Sequence, residues 1–317
     1  MGISAQTEHR VFLVARTQAG LVLLFVLTLL GQSFGAEKYR LHMSRAPLKG
    51  GQQLRFHVQF QVEDNRQMGS LATNRAFWGE VSGITRILEW DEPRQTGQIE
   101  IYFERAFKGT SLGTNSLVTG KRLVRAKWLL GEVFFTASDA MAAAETRELP
   151  DALKTLAIPP RDWFWRDDAT AGTALPREIG ETWRTAVSNH PLGARAKRSF
   201  ERSGFHLKDH PCEIILAGVT NMFGFPCFRL VAKFAIDSFP EKLFEMLSGK
   251  GYDNPRCVGT HTTTLIAPLD PSYNFLHVEV VAVLRESLDS ATDPKKSAKW
   301  SNETRAMLDY QPIAGTP

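Results

Sequence analysis

The chain has 317 residues, 43% of them hydrophobic, with 38 Lys+Arg against 34 Asp+Glu and a formal net charge of +4. Basic and acidic residues interleave without a polybasic run, which excludes the concentrated basic face of a nucleic-acid binder. The composition is that of a globular protein with apolar residues enough for a sizeable core, in one large domain or two small ones.

Residues 1–36 read as a secretory signal peptide. Arg10 and Arg16 supply positive charge, Thr17 to Ala36 is uncharged, and Leu21 to Leu30 is almost wholly aliphatic. Ser33, Gly35 and Ala36 give a small-residue cleavage site before Glu37. Cleavage after Ala36 leaves 281 residues, destined for the periplasm or the extracellular space. The alternative is an uncleaved anchor, with membrane contact through this segment alone. Its aliphatic part is short beside the ~20 apolar residues of a spanning helix.

Residues 37–157 form a first β-rich half. Leu54, Phe56, Val58, Phe60 and Val62 alternate with Arg55, His57, Gln59, Gln61 and Glu63. Strict period two predicts a strand with one buried face and one wet face. Further strands are predicted over Phe77–Trp90, Gln98–Phe107, Leu123–Leu130 and Glu132–Ala137, joined by short turns in an antiparallel meander. Gly109-Thr-Ser111-Leu-Gly113 matches the G-x-S-x-G pattern of serine hydrolases. That chemistry needs Ser111 on a strand-to-helix turn, and no helix pattern follows it. A Gly/Ser hairpin loop is the structural reading. Ala140 to Ala144 and neighbouring charged residues favour a helix within 138–155, broken by Pro150.

Residues 158–177 are a Pro/Trp-rich linker. Trp163 and Trp165 beside Asp167-Asp168 carry residue types suited to sugars, but adjacent aspartates do not supply the set separation that glycoside hydrolysis needs. Residues 178–287 form a second β-rich half. Gly51 to Val58 lines up with Gly180 to Val187, and Gly83 to Ile87 with Gly218 to Met222. Both alignments are consistent with a duplicated β unit. His206, Asp209, His210 and Cys212 fall within seven residues and suit zinc by type. His206 and His210 would converge only on a helix, and the segment reads as a turn entering a strand.

Cys212 to Thr220 and Cys227 to Ile236 predict a hairpin around Asn221 to Pro226. In an exported protein Cys212 and Cys227 are the first candidates for a disulfide, with Cys257 left over; three reduced, buried cysteines are the alternative. Ser238-Phe-Pro-Glu241 has the form of a capping box and Gly249 that of a C-terminal cap, predicting a helix over 239–248. Strands follow at Thr260–Ala267 and Asn274–Glu286, and 288–317 reads as a polar C-terminal tail.

The run from Gly120-Lys121 through Leu149-Pro150 to Gly180-Glu-Thr-Trp183 resembles a type of exported bacterial β-rich protein of unknown function. In that type, a second half opens on a Gly-acid-x-Trp strand. The resemblance implies a two-part β fold and no established activity. The fold class expected is therefore β-dominated α+β, with antiparallel curved sheets and a few packing helices. With no phosphate loop, paired Cys-x-x-Cys or calcium loop, no cofactor, metal or catalytic residue is assigned. The functional expectation is a non-catalytic exported binding or envelope-associated protein. Its partner would be an apolar small molecule or lipid on a concave sheet, or another envelope protein. Phe56, Phe60, Phe103, Phe134 and Phe135 fit either a lined cavity or an ordinary core. The alternative is a secreted hydrolase using Ser111 or a His206/His210 metal site.

Overall fold

A computed structural model describes residues 37–43, 49–91, 94, 96–110, 113–116, 120–129, 132–137, 172–187, 206–207, 211–239, 252–274, 276–290, 293 and 297–313. Of these, 114–116, 120–129, 132–137, 206–207, 238–239, 252–255, 289–290 and 312 are described for backbone alone. The N-terminal segment 1–36, the helix expected within 138–155, and linker residues 158–171 lie outside the described residues. So does the expected helix from 240 onward; its predicted first residues, Ser238 and Phe239, are strand.

The chain divides into a unit ending at Tyr39 and a unit of Arg40–Pro317. The first contains β1 (Lys38–Tyr39), where the Tyr39 hydroxyl donates to Glu37. The second carries β2 (Gln53–Met68), β3 (Leu71–Asp91), β4 (Thr96–Thr110), β5 (Gly113–Ser116), β6 (Gly120–Leu129) and β7 (Glu132–Ala137). It continues with β8 (Arg177–Glu178), β9 (Thr182–Ala186), β10 (His206–Leu207), β11 (Pro211–Met222), β12 (Phe225–Phe239), β13 (Tyr252–Pro268), β14 (Leu276–Ser290) and β15 (Ala298–Pro312).

Thirteen strands, β2–β7 and β9–β15, make one open, curved antiparallel sheet in the order β7-β6-β4-β3-β2-β15-β14-β13-β12-β11-β9. β5 pairs with β4, and β10 with β12. No α-helix occurs among the described residues. The expected β-dominated class is what the structure shows.

One correction concerns the C-terminus. Half of the segment read as a polar tail is β15, which sits in the middle of the sheet between β2 and β14. It joins the meander of residues 53–137 to that of 182–290. Its alternation is real but muted: Ala306, Leu308 and Tyr310 share a face with Asn302 and Thr304. Of these five, Leu308 and Tyr310 are fully buried.

Side chains alternate between two faces of the sheet. The core face collects Leu54, Phe56 and Val58 of β2, Ile99, Ile101 and Phe103 of β4, and Leu308 and Tyr310 of β15. Ile214 and Leu216 of β11 and Leu230 and Phe234 of β12 continue it. Phe56 and Phe103 meet edge to face at 6.0 Å, so these two belong to an ordinary core rather than a lined cavity. A bulge in β4 opposite Ser82 and Gly83 inserts Glu104; this lets both Phe103 and Ala106 reach the core face.

The β11–β12 hairpin turns on two residues, Phe223 (φ 55°) and Gly224 (φ 85°), the backbone of a type I′ turn. Met222 therefore pairs with Phe225, and Cys227 with Thr220. Cys212 lies eight residues further along the strand than Thr220, roughly 25 Å at strand rise. The expected Cys212–Cys227 bridge is corrected: Cys212, Cys227 and Cys257 are buried thiols, and none of them is in a disulfide. Burial pushes the Cys212 thiol up to about 12, with Glu213 adding to the shift. It does the same to Cys257, there with Glu286 and Asp237 adding.

A corner of hydrogen bonds recurs at a constant spacing of 129 residues. Gly51 N–H donates to Ile87 and Ile87 N–H to Gln52; Gly180 N–H donates to Leu216 and Leu216 N–H to Glu181. Gly51 and Gly180 both have φ 88°. The alignment of Gly51 with Gly180 thus coincides with equivalent geometry. That of Ile87 with Met222 does not, because the corner equates Ile87 with Leu216.

Candidate functional site

The opposite face of the sheet carries a hollow of ≈ 630 Å³ across β3, β2, β15 and β14. Most of its lining residues point to this face, which is here called the groove face. Cross-strand register explains the site. One row reads Trp78–Gln61–Arg305–Val281, and the next Glu80–Gln59–Met307–Glu279. Each row takes one residue from each of four strands, because opposed residues share a face.

The apolar part of the groove is Trp78, Val281 and Met307, with Trp78 38% and Val281 36% exposed. Trp78 packs edge-on against Phe107 at 5.2 Å. It also lies over Gly109: a Cβ there would fall 2.1 Å from the indole. The absence of a side chain at Gly109 is therefore what seats the ring. The polar part is Gln59, Gln61, Glu80, Glu279 and Arg305. Glu303 holds Arg305 through contacts of 2.7 and 2.8 Å.

A third row, Ser82–His57–Asp309–His277, borders the groove. Asp309 Oδ1 lies 2.6 Å from His277 Nδ1, and Glu279 Oε1 lies 3.4 Å from His277 Nε2. The Asp309 hydrogen bond raises the His277 pKa against the opposing effect of burial, and Glu279 adds to the rise. His57 Nε2 is buried without a hydrogen-bond partner among the described residues, 3.4 Å from Glu80 Oε1. Arg105 reaches the same Glu80 oxygen at 3.3 Å. Ser82, His57 and Asp309 have the residue types of a nucleophile, a base and an orienting acid. Yet Asp309 is engaged with His277, and no hydrogen bond joins Ser82 to His57. The row is an electrostatic wall of the groove, without the linked geometry of a triad.

The alternation of β2 put His57 on the wet face of its strand, and it lies on the groove face with His277; His261 lies on the other face. His261 lies in the core, 8% exposed, stacked on Phe234 at 4.6 Å and 15°. Burial lowers its pKa to about 4. Ser111, His210, Trp163, Trp165, Asp167 and Asp168 lie outside the described residues. His206 is described for backbone alone, in β10 opposite Phe239. No group of three or more His, Cys, Asp or Glu arranged for a metal occurs among the described residues. Phe60 touches the groove, but its side chain points to the core face, beneath Gly79. Of the residues that build the groove, Gln59 and Gln61 were read as the wet side of a strand, whereas Arg305 and Met307 fell in the segment read as a polar tail.

No protein-family profile and no curated protein matches the chain. Among solved structures, a lipovitellin structure, titled for its lipid–protein interactions, aligns at a TM-score of 0.40 and 10% identity. It covers 86% of this chain and 26% of its own, so the chain spans about a quarter of that protein. The outer membrane protein OprG of Pseudomonas aeruginosa aligns at 0.22 and 5% identity, covering 85% of this chain and 97% of its own. A DUF1329 family protein from Desulfovibrio piger aligns at 0.12 and 9% identity, over 84% and 88%.

Proposed function

We propose that this chain is an exported, non-catalytic binding protein. It would hold a small molecule with an apolar body and a polar end in the groove of its curved sheet. One observation carries the reading: a hollow of ≈ 630 Å³ on the otherwise polar face, walled by Trp78, Val281 and Met307 and edged by Glu80, Glu279 and Arg305. That volume lies within the ~300–1,000 Å³ of small-molecule sites, which combine apolar walls with a few placed polar groups. The aromatic Trp78 supplies area for contact, and Arg305 and Gln61 supply orientation. Export is supported by the order of charge, aliphatic run and small residues in 1–36.

Native mass spectrometry of protein purified from its own host tests the reading directly, with a co-purified apolar species expected. In parallel, a fluorescent fatty-acid probe is titrated against wild type and Trp78→Ala. Losing an indole's worth of buried surface weakens binding by at least ~tenfold. A host preparation with no apolar species, together with probe binding indifferent to Trp78→Ala, would rule the groove out as the ligand site.

A further inference from the structure

The sheet ends, beyond the groove, in a rim with unusual exposure. The β2–β3 hairpin turns at Gly69–Ser70, and Gly69 has φ 55°. Met68 and Leu71 face each other across that turn, 58% and 74% exposed. They continue a row whose other members, Ala298 and Leu288, are also apolar but are 3% and 6% exposed. Two large apolar side chains therefore stand in water at the open end of a buried row.

Cations lie just behind them on the groove face. Lys299 pairs with Gln67, one residue in from Met68, and shares its row with Ser287 and Arg256. Arg285 lies level with Asn65, three residues in. All three cations are exposed; among the described residues the acidic side chain of these two rows is Asp237 of β12, at the far end of the Arg285 row beyond Val258. Arg285 and Lys299 border a second hollow of ≈ 540 Å³. On the core face at the same level, Arg66 is already engaged by Asp64 at 2.7 Å.

We propose that this rim docks on an anionic phospholipid bilayer, with Met68 and Leu71 entering the interfacial layer and Lys299, Arg285 and Arg256 meeting lipid phosphates. The spacing fits. At ~3.3 Å of rise per residue, the cations trail the apolar tip by roughly 3–10 Å. Apolar groups at a membrane interface bury ~5–10 Å deep, which sets the cations at the phosphate level. The charge fits too, since three exposed cations outnumber the one acid of their rows, Asp237, which stands two strands away from Arg285. A soluble polyanion would satisfy the cations and leave the exposed Met68 and Leu71 without a role. The rim shares no residue with the ligand groove, so the two proposals stand or fall separately.

The test is sedimentation of the full chain with phosphatidylcholine vesicles, with and without phosphatidylglycerol. The readout is the increment that phosphatidylglycerol adds, so segment 1–36, common to every variant, cancels. Wild type should show a clear increment that shrinks with added salt. Each cation near an anionic surface is worth about fivefold in affinity, so Arg285→Gln/Lys299→Gln should lose roughly 25-fold. Met68→Asn/Leu71→Asn should lose the increment as well, while Trp78→Ala should keep it. Unchanged thermal unfolding shows that the variants are folded. No increment for wild type overturns the proposal. So does an increment lost on removing the cations but untouched by Met68→Asn/Leu71→Asn, which would mark a site for a soluble polyanion.

Discussion

His261 should make this protein lose stability on acidification, through one side chain. The ring is buried on the core face of β13, stacked on Phe234, with Thr263 Oγ1 3.4 Å from Nδ1. Burial lowers its pKa to about 4 from an ordinary 6.5. Below pH 6.5 the unfolded chain takes up a proton that the folded chain refuses until about pH 4. Stability from the neutral ring is thus fully present above pH 6.5 and is lost as pH falls towards 4. Each unit of difference is worth ~1.4 kcal/mol, so the loss between pH 7 and pH 4 is about 3 kcal/mol. Urea unfolding across that range, for wild type and His261→Phe, measures it. Phe keeps the stacking partner and the volume but cannot titrate. The difference in stability between the two proteins should shift by about 3 kcal/mol over the window, with wild type falling faster. Parallel curves for wild type and variant would refute the assignment.

Four further outcomes follow from named contacts. Asp309→Asn removes the main cause of the raised His277 pKa, so an NMR titration should show that pKa fall. Wild type should also lose stability relative to Asp309→Asn as pH rises from about 6.5 through the folded pKa, because a raised pKa stabilises only the protonated form. Gly109→Ala drives a methyl group into the Trp78 indole; unfolding should show a cost of about 1–3 kcal/mol and probe binding should weaken. Gly51→Ala and Gly180→Ala meet open space but keep a positive φ, so each should cost about 1 kcal/mol in backbone strain. Unequal costs would argue against the equivalence of the two corners. Thiol titration should find Cys212, Cys227 and Cys257 unreactive when folded and all three reactive when unfolded without reductant; any smaller count refutes the free-thiol state.

Local pattern was legible where a strand runs over a strongly apolar face. The alternation of Leu54 to Glu63 identified β2, its orientation and the burial of Phe56 and Val58. The β11–β12 hairpin was legible in the same way. β15 was missed because its core-face partners at the rim are themselves polar or half-open. Asn302 faces Asp64 and Thr304 faces Val62, so the strand lacks the hydrophobic contrast on which periodicity depends. The Cys212–Cys227 pairing failed for a different reason. A hairpin's register is fixed by its turn, and the two-residue turn at Phe223–Gly224 carries the cysteines to opposite ends of the strand pair.

The groove was illegible for a reason that applies to any site built across a sheet. Each of its rows takes single residues from β3, β2, β15 and β14. Trp78 and Gln61 are near in sequence, but Arg305 and Val281 reach them only through pairings between opposite ends of the chain. A shift of one residue in the β2–β15 register would replace Arg305 and Met307 by their neighbours and turn those side chains to the core face. Nothing in either strand's own sequence states that register. It is set jointly, by the burial of Tyr310 against Phe56 and of Leu308 against Val58 at the core end of the same two strands. The apolar pairs of the core face thus decide which residues meet on the groove face, one to five residues further along. This makes a testable link between core and site: Leu308→Ala, which opens a cavity worth about 2–5 kcal/mol at the register-setting pair, should also weaken probe binding in the groove. Probe affinity unchanged in a folded Leu308→Ala protein would show that the groove holds its geometry without that pair.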